Sequence, residues 1–139
     1  MTPDRGRDRG SLTVFVAVLA LALFVLVGLV IDGGRALSEN AAAASDAEQA
    51  ARLGAGQLSL DGIRAGVVTI NPSAAIASAQ RFLIGMGRTG TVSVFGQTVV
   101  VHVDSSAPTA VLGIIGIDHI RVSVTASATN VHGVTRSDP

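Results

Sequence analysis

The side chains with the greatest capacity for catalysis are three histidines, His102, His119 and His132. Nucleophilic catalysis requires Ser or Cys beside a His base and an orienting acid, and none of the three lies in a nucleophile-elbow or metal-ligand spacing. His102 and Asp104 share one face of a predicted strand, and Asp118 joins His119 at the next strand. These two pairs could in principle hold a metal, but pairs on an exposed sheet surface are usually solvated. We therefore predict no enzyme activity and no catalytic, cofactor-binding or metal site.

A glycine-rich stretch, GMGRTG at residues 85–90, matches the pattern G-x-G-x-x-G literally. Dinucleotide binding requires a strand before these glycines and a helix after them, so that phosphate meets the helix N-terminus. Here a predicted helix precedes the glycines and a predicted strand follows them. The stretch is therefore predicted to end a helix and turn into a strand.

Charge and cysteine content exclude two further classes. The formal net charge is zero, and the arginines beyond the leader are dispersed along the chain, so the basic face with stacking aromatics that nucleic-acid binding needs is missing. The chain has no Cys, which excludes disulfides and thiol chemistry. Its four aromatic residues are all Phe, so the core must be built from Val, Ile, Leu and Ala.

The element that must position everything else is an uncharged apolar stretch at residues 11–31. About 20 apolar residues are what a helix needs to cross the bilayer, so we predict a transmembrane helix. The leader, residues 1–10, carries three arginines, whereas the far side begins with Asp32 and only then Arg35. Because Lys and Arg set topology, we expect the N-terminus in the cytoplasm and residues 32–139 outside.

A cleaved secretory signal is the main alternative for this stretch. The small residues at positions 42–44 offer an A-x-A pattern, and cleavage there would make the chain a secreted binding module. An apolar core of about 7 to 15 residues is usual for such signals, and this one is longer and lies well upstream of the alanines. These features favour a retained span.

The alanine-rich segment after the span predicts a helix over residues 34–53, because Ala is the best helix former. If this helix continues the span, the two form one rod about 60 Å long at about 1.5 Å per residue. Asp32, Gly33 and Gly34 lie at the membrane exit, and the two glycines predict a bend or hinge there. Asp32 and Glu39 are expected to anchor and solubilise the helix rather than to carry protons.

The rest of the chain predicts a short helix and three strands. Pro72 follows a short apolar run and begins a helix that ends near residue 85 or 87. Residues 91–106 alternate as a hairpin with its turn at Gly96 and Gln97, and residues 120–129 alternate as a third strand. The predicted fold class is α+β, with a long N-terminal transmembrane helix continuing into an Ala-rich helix, a second short helix and a small antiparallel three-stranded sheet.

An unusual apolar stretch, AVLGIIGI at residues 110–117, joins the second and third strands. It is too short to span a bilayer. One interpretation is a connection that covers the core of the small sheet. The other is an exposed apolar patch for a partner subunit or the lipid surface, with Leu112, Ile114, Ile115 and Ile117 as the contact residues.

Residues 9–55 resemble the N-terminal module of TadE/TadG-like proteins of the tight-adherence (Flp) pilus systems. The resemblance is carried by Arg9 and Gly10 before the span, the exit sequence DGGR at residues 32–35, and an Ala-rich helix containing DAEQAA at residues 46–51. It covers about a third of the chain. The helix and three-strand pattern that follows is similar to pilin-like proteins, in which a long N-terminal helix packs on a small antiparallel sheet.

The resemblance implies a minor pilin, pseudopilin or assembly factor that contacts the lipid bilayer and other pilus subunits, as a homo- or hetero-oligomer. It also implies processing at Gly10 and Ser11, although Phe15 stands where prepilin peptidase substrates have Glu. Whether the leader is cleaved stays open at this point. A pseudopilin of a secretion or DNA-uptake machine and an envelope hydrolase are the remaining alternatives.

Overall fold

The computed structural model describes residues 7–130, apart from the side chains of residues 7–11 and of Ile115. It shows an α+β fold in which one long helix carries a small antiparallel sheet. The predicted fold class is confirmed. His132 lies outside the described residues.

The long helix, α1, runs without a break from Arg7–Ala55, 49 residues in all. The predicted span and the predicted alanine-rich helix are therefore one continuous helix. Its C-terminus lies two residues beyond the predicted end at Leu53, and the side-chain amide of Asn130 donates to the carbonyl of Ala55 at 3.1 Å. Gly54 does not end the helix but is buried within it, where a Cβ would lie 3.0 Å from Cγ1 of Val99.

Two short helices follow α1. The five-residue helix α2, Leu60–Arg64, begins after Ser59, whose hydroxyl accepts a hydrogen bond from the backbone N–H of Gly62. Its sequence predicts no helix because five residues are too few to show a helical period. Helix α3, Pro72–Gly85, begins after Asn71, whose side chain accepts from the N–H of Ala74, and it has Pro at its first turn as predicted.

The strands are β1, Thr89–Phe95, β2, Thr98–Pro108, and β3, His119–Thr129, and they pair antiparallel in the order β1-β2-β3. The predicted turn at Gly96 and Gln97 joins β1 to β2. Between β2 and β3 lies a short 3-10 helix, Leu112–Ile115.

The core lies where α1 and α3 pack on one face of the sheet. It is aliphatic, as the composition predicts, with alanines from the helices meeting valines from the sheet. Its fully buried members include Ala47 of α1, Ala79 of α3 and Val101 of β2. Small side chains let the helix approach the sheet closely, so the core is thin but continuous.

The glycine-rich stretch ends α3 and turns into β1, as predicted. Gly85 is the last residue of α3, and Gly87 has a φ of 68°, a left-handed conformation that glycine adopts at little cost. The N–H of Arg88 then donates to the carbonyl of Leu83 at 2.8 Å. The helix precedes the glycines, so this is not a dinucleotide site.

Candidate membrane-exit site and contact surface

The N-terminal half of α1 presents an apolar surface that the rest of the chain does not cover. Every large apolar side chain between residues 12 and 31 is exposed. Within residues 7–130 the structure has one helix that is long and apolar enough to cross a membrane, Leu12–Ala55. The exposed half therefore has the length and composition of a lipid-facing segment.

At the end of this surface Asp32 is buried, with only 1% of its surface exposed. Its Oδ1 accepts the backbone N–H of Ala110 at 2.7 Å, and its Oδ2 accepts those of Val111 and Leu112 at 2.9 and 2.8 Å. Three charge-assisted hydrogen bonds satisfy the carboxylate and compensate for its burial. Nη1 of Arg35 lies 4.0 Å from Oδ1, and that side chain is half exposed. Asp32 thus ties α1 to the segment between β2 and β3.

We call this segment, residues 110–117, the exit loop. Its Val111 side chain packs on Gly28 so closely that a Cβ added at Gly28 would overlap Cγ1 and Cβ of Val111. Gly28 and Asp32 are four residues apart and therefore lie on the same face of α1. A glycine and a carboxylate on adjacent turns together form the docking point of the exit loop.

Seven residues farther along α1, Glu39 belongs to a second polar cluster. It contacts both the guanidinium of Arg88 and the hydroxyl of Ser105. Arg88 Nε also donates to Oδ2 of Asp46 at 2.8 Å, and its Nη1 donates to Ser105 Oγ at 3.0 Å. The side chains of Arg88, Asp46 and Glu39 are 15%, 18% and 28% exposed. The cluster therefore joins α1 to the turn before β1 and to β2 through charges that are largely shielded from water.

The electrostatics of this cluster follow from its hydrogen bonds. Donation from Ser105 and from Arg88 lowers the pKa of the Glu39 carboxyl below its ordinary value. Acceptance by Asp46 and Glu39 raises the pKa of Arg88 above its ordinary value. Both shifts favour the charged forms of Glu39 and Arg88, which stabilises their ion pair. The anchoring role expected of Glu39 at the membrane exit stays a prediction.

Residues 10–57 match the family model Tad, described as "Putative Flp pilus-assembly TadE/G-like". The match covers about a third of the chain, and it confirms the resemblance of residues 9–55 to this family. It connects the chain with Flp pilus assembly. No curated protein and no solved structure matches the chain.

The TadE/G-like segment corresponds to the part of α1 that contains every contact point described above. It begins at Gly10, includes Gly28, Asp32 and Glu39, and ends at Gln57, shortly after α1 ends. Its partners in the exit loop, Arg88 and Ser105 all lie outside it. The matched segment is therefore the platform, and residues 58–130, which we call the head, dock on it.

The predicted hinge lies within this segment. Hydrogen bonding in α1 is continuous through Asp32, Gly33 and Gly34, and a Cβ at either glycine would meet nothing within 4 Å. Close packing therefore does not require these glycines. A bend or hinge at this point stays a prediction. Gly10 and Ser11, the predicted processing residues, lie within the first turns of α1, and processing also stays a prediction.

The predicted contact residues of the exit loop differ in their environment. Ile114 is 84% exposed and Ile117 is 47% exposed, whereas Leu112 is half-buried and the side chain of Ile115 is outside the described part. The described side chains of residues 110–117 are not part of the aliphatic core, and a partner or lipid contact at those that are exposed stays a prediction. The beginning of the exit loop is docked on α1, and its tip is an exposed apolar surface.

The two acid and histidine pairs are not brought together. His102 lies opposite Thr125 in the sheet and His119 lies opposite Pro108, which separates the two histidines by about 20 Å at about 3.3 Å per residue. His102 instead bonds to the hydroxyls of Thr125 and Ser123, and Ser123 donates to Asp104 at 3.1 Å. Within residues 7–130 the structure shows no cluster of three or more metal-ligating side chains.

Sequence reasoning missed the cluster around Arg88 and the docking of Val111 on Gly28. The first had a signal in the sequence, because Glu39 and Asp46 are seven residues apart and must lie on one face of α1. Two carboxylates on that face predict a cation opposite them. The second had none, since Gly28 is an ordinary small residue within an apolar run and its neighbour is 83 positions away along the chain.

Proposed function

We propose that this protein is a membrane-anchored, non-catalytic subunit of the Flp pilus apparatus, either a minor pilin or pseudopilin or an assembly factor. The proposal divides the chain into a cytoplasmic leader of residues 1–10, a transmembrane helix of residues 11–31 and an extracytoplasmic pilin-like domain of residues 32–139. The observation that supports it most is the unbroken helix α1, which is exposed and apolar in its first half, packed against a sheet in its second half and matched by the TadE/G-like model.

Retention of the span is supported by the contacts that signal cleavage would remove from the folded structure. Signal cleavage just before Ser45 would delete Asp32, Glu39 and the buried Ala43. The three N–H groups of the exit loop would lose their acceptor, and Arg88 would lose one of its two carboxylates. A buried or half-buried polar group without a partner costs about 1 to 3 kcal/mol. Loss of the first half of α1 would therefore destabilise the rest of the fold, which favours a retained span.

The proposed action is assembly by contact. The apolar half of α1 packs beside the helices of neighbouring subunits or against lipid, and the head presents its strands and the tip of the exit loop to other pilus components. Such packing needs no reacting group.

The first experiment tests anchoring and orientation. Because the chain has no Cys, single cysteines can be introduced at Ile84, which is 74% exposed on α3, and at Thr2 in the leader. We expect both variants to stay in the membrane after carbonate washing. In intact spheroplasts a membrane-impermeant maleimide should label I84C, and in the uncleaved chain it should label T2C only after lysis. A protein released by carbonate, or the opposite labelling pattern, would contradict the proposal.

The second experiment separates a fibre subunit from an assembly factor. Deletion of the gene should abolish or reduce Flp pili, and the wild-type gene should restore them. Recovery of the protein in sheared fibres identifies a minor pilin, whereas recovery only in membranes identifies an assembly factor. The mass of the recovered protein shows whether cleavage occurred between Gly10 and Ser11. Normal piliation in the deletion strain would count against the proposed function.

A further inference from the structure

The exit loop has an exposed apolar tip next to the point where α1 leaves the membrane. Ile114 is 84% exposed and Ile117 is 47% exposed, and both follow the docked Val111 within six residues. The first charge after the tip is Asp118, which is exposed. Exposure of apolar side chains of this size to water is unfavourable. The position of these side chains in the molecule determines what can cover them.

The depth of the exit loop follows from its contact with Gly28. About 20 residues are needed to cross about 30 Å of hydrocarbon, so the span requires all of residues 12–31. Gly28 then lies about 4.5 Å inside the outer edge of the hydrocarbon, at about 1.5 Å per residue. Because Val111 packs directly on Gly28, the exit loop must reach the same depth.

The backbone of the exit loop is suited to this environment. Irregular backbone is costly in lipid because each unpaired N–H or C=O loses its hydrogen bond to water. Here Asp32 accepts the N–H groups of residues 110–112, and the carbonyl of Asp118 accepts the N–H of Thr109 at 3.0 Å. The N–H groups of Ile114, Gly116 and Ile117 donate to carbonyls within the loop at 3.0 to 3.1 Å. The loop therefore satisfies these groups without water.

We propose that the exit loop is a second membrane-inserted element, which places Ile114 and Ile117 in the outer leaflet of the bilayer beside α1. This inference rests on the proposed function, because it takes residues 11–31 to be a transmembrane helix. Asp32 acts as the internal clamp that holds the loop at this depth. Asp118 marks the end of the inserted part, since a carboxylate is unfavourable in hydrocarbon. Two insertion points, α1 and the loop, fix the tilt of the head on the membrane surface.

The test uses the full chain reconstituted into phosphatidylcholine vesicles, with an environment-sensitive fluorophore on one introduced cysteine at a time. The cysteine replaces Ile114 in the exit loop, Phe24 in the span or Ile84 on the head, all of which are more than 70% exposed, so the fold should tolerate each label. Quenching is measured with a quencher attached to the lipid chains and with aqueous iodide.

We expect lipid quenching at I114C to be several-fold stronger than at I84C and comparable to that at F24C, with the order reversed for iodide. Lipid quenching at F24C together with iodide quenching at I114C would overturn the loop insertion and leave the anchor intact. Protection of I114C from both quenchers would also overturn it, because a second protein copy would then cover the tip. Iodide quenching at F24C would instead refute the proposed function itself.

Discussion

The two halves of α1 are one helix with opposite surroundings. In residues 12–31 the large apolar side chains are exposed, whereas in the second half every buried apolar side chain is an alanine, with Ala43, Ala47, Ala50 and Ala51 fully inaccessible. Burial therefore does not follow side-chain hydrophobicity here. It follows the presence of the sheet, which can approach closely only where the helix carries small side chains. The half with large side chains meets no sheet, and these side chains stay exposed.

The largest effect is expected at the junction of the two halves, from Asp32→Ala. Removing the carboxylate leaves three N–H groups of the exit loop without their acceptor and should cost about 3 kcal/mol of local stability. The loss of local stability should appear as faster hydrogen exchange at the amides of Ala110, Val111 and Leu112, measured in detergent micelles. Arg35→Ala is the matched control, because Arg35 lies 4.0 Å from the same carboxylate and is half exposed. Equal effects of the two variants would contradict the clamp.

A larger side chain placed in each half of α1 tests whether the two halves differ in their packing against protein. Ala47→Leu overfills the contact between α1 and the sheet and should destabilise the head by about 2 kcal/mol. Ala20→Leu, at an exposed position of the first half, should change the stability of the head very little. Hydrogen exchange of the β2 amides of Val99, Val101 and Val103 provides the measurement. Similar losses in the two variants would show that both halves are packed against protein.

A smaller and pH-dependent effect is expected from the second half. Because hydrogen bonds lower the pKa of Glu39 in the folded state, this group adds stability above its unfolded pKa, near 4.5. That contribution is lost as the pH falls through the folded pKa. Glu39→Gln should therefore cost about 1 kcal/mol at neutral pH and flatten the loss of stability on acidification below about pH 4.5.

Glu48→Gln is the control for this measurement, made as the thermal midpoint in micelles across the acid range. Glu48 pairs with Arg52 along the same helix, but both side chains are more than half exposed, so the expected change is at most about 0.5 kcal/mol. An acid profile of Glu39→Gln that coincides with the wild type would show that the cluster around Arg88 contributes nothing to folding.

The smallest change in stability is expected from a substitution on the outer face of the sheet. This face is opposite to the one on which α1 packs, so the result gives a baseline for the substitutions in both halves of the helix. His102→Ala removes hydrogen bonds to Thr125 and Ser123 at the surface and should change stability by less than about 0.5 kcal/mol. Pilus number in a complemented deletion strain should equal the wild type. A stable variant that fails to support piliation would show that this face is functional, either as an active site or as a contact with another pilus component.

Much of the fold was predictable because each element has its own local signal. The apolar run of α1, the Asn71 and Pro72 start of α3, and the alternation of β2 and β3 are all visible in short windows of sequence. Helix α2 was not predictable, since five residues carry no period. The glycines near residue 33 predict a hinge by propensity, yet α1 keeps its hydrogen bonds there, and only a measurement of bending can decide that prediction.

The separate elements of the candidate site were predictable from the sequence, but the contacts between them were not. The sequence by itself determined an anchor-length apolar helix, an alanine face, an apolar stretch between two strands and the lack of catalytic spacing, because these depend on residue type and local period. Only the tertiary structure decided that Asp32 is the acceptor for residues 110–112, that Val111 rests on Gly28 and that Arg88 joins Glu39 to Asp46. Such pairings bridge 42 to 83 positions along the chain, and they form because buried charges and backbone N–H groups must find partners once the sheet has packed on the helix.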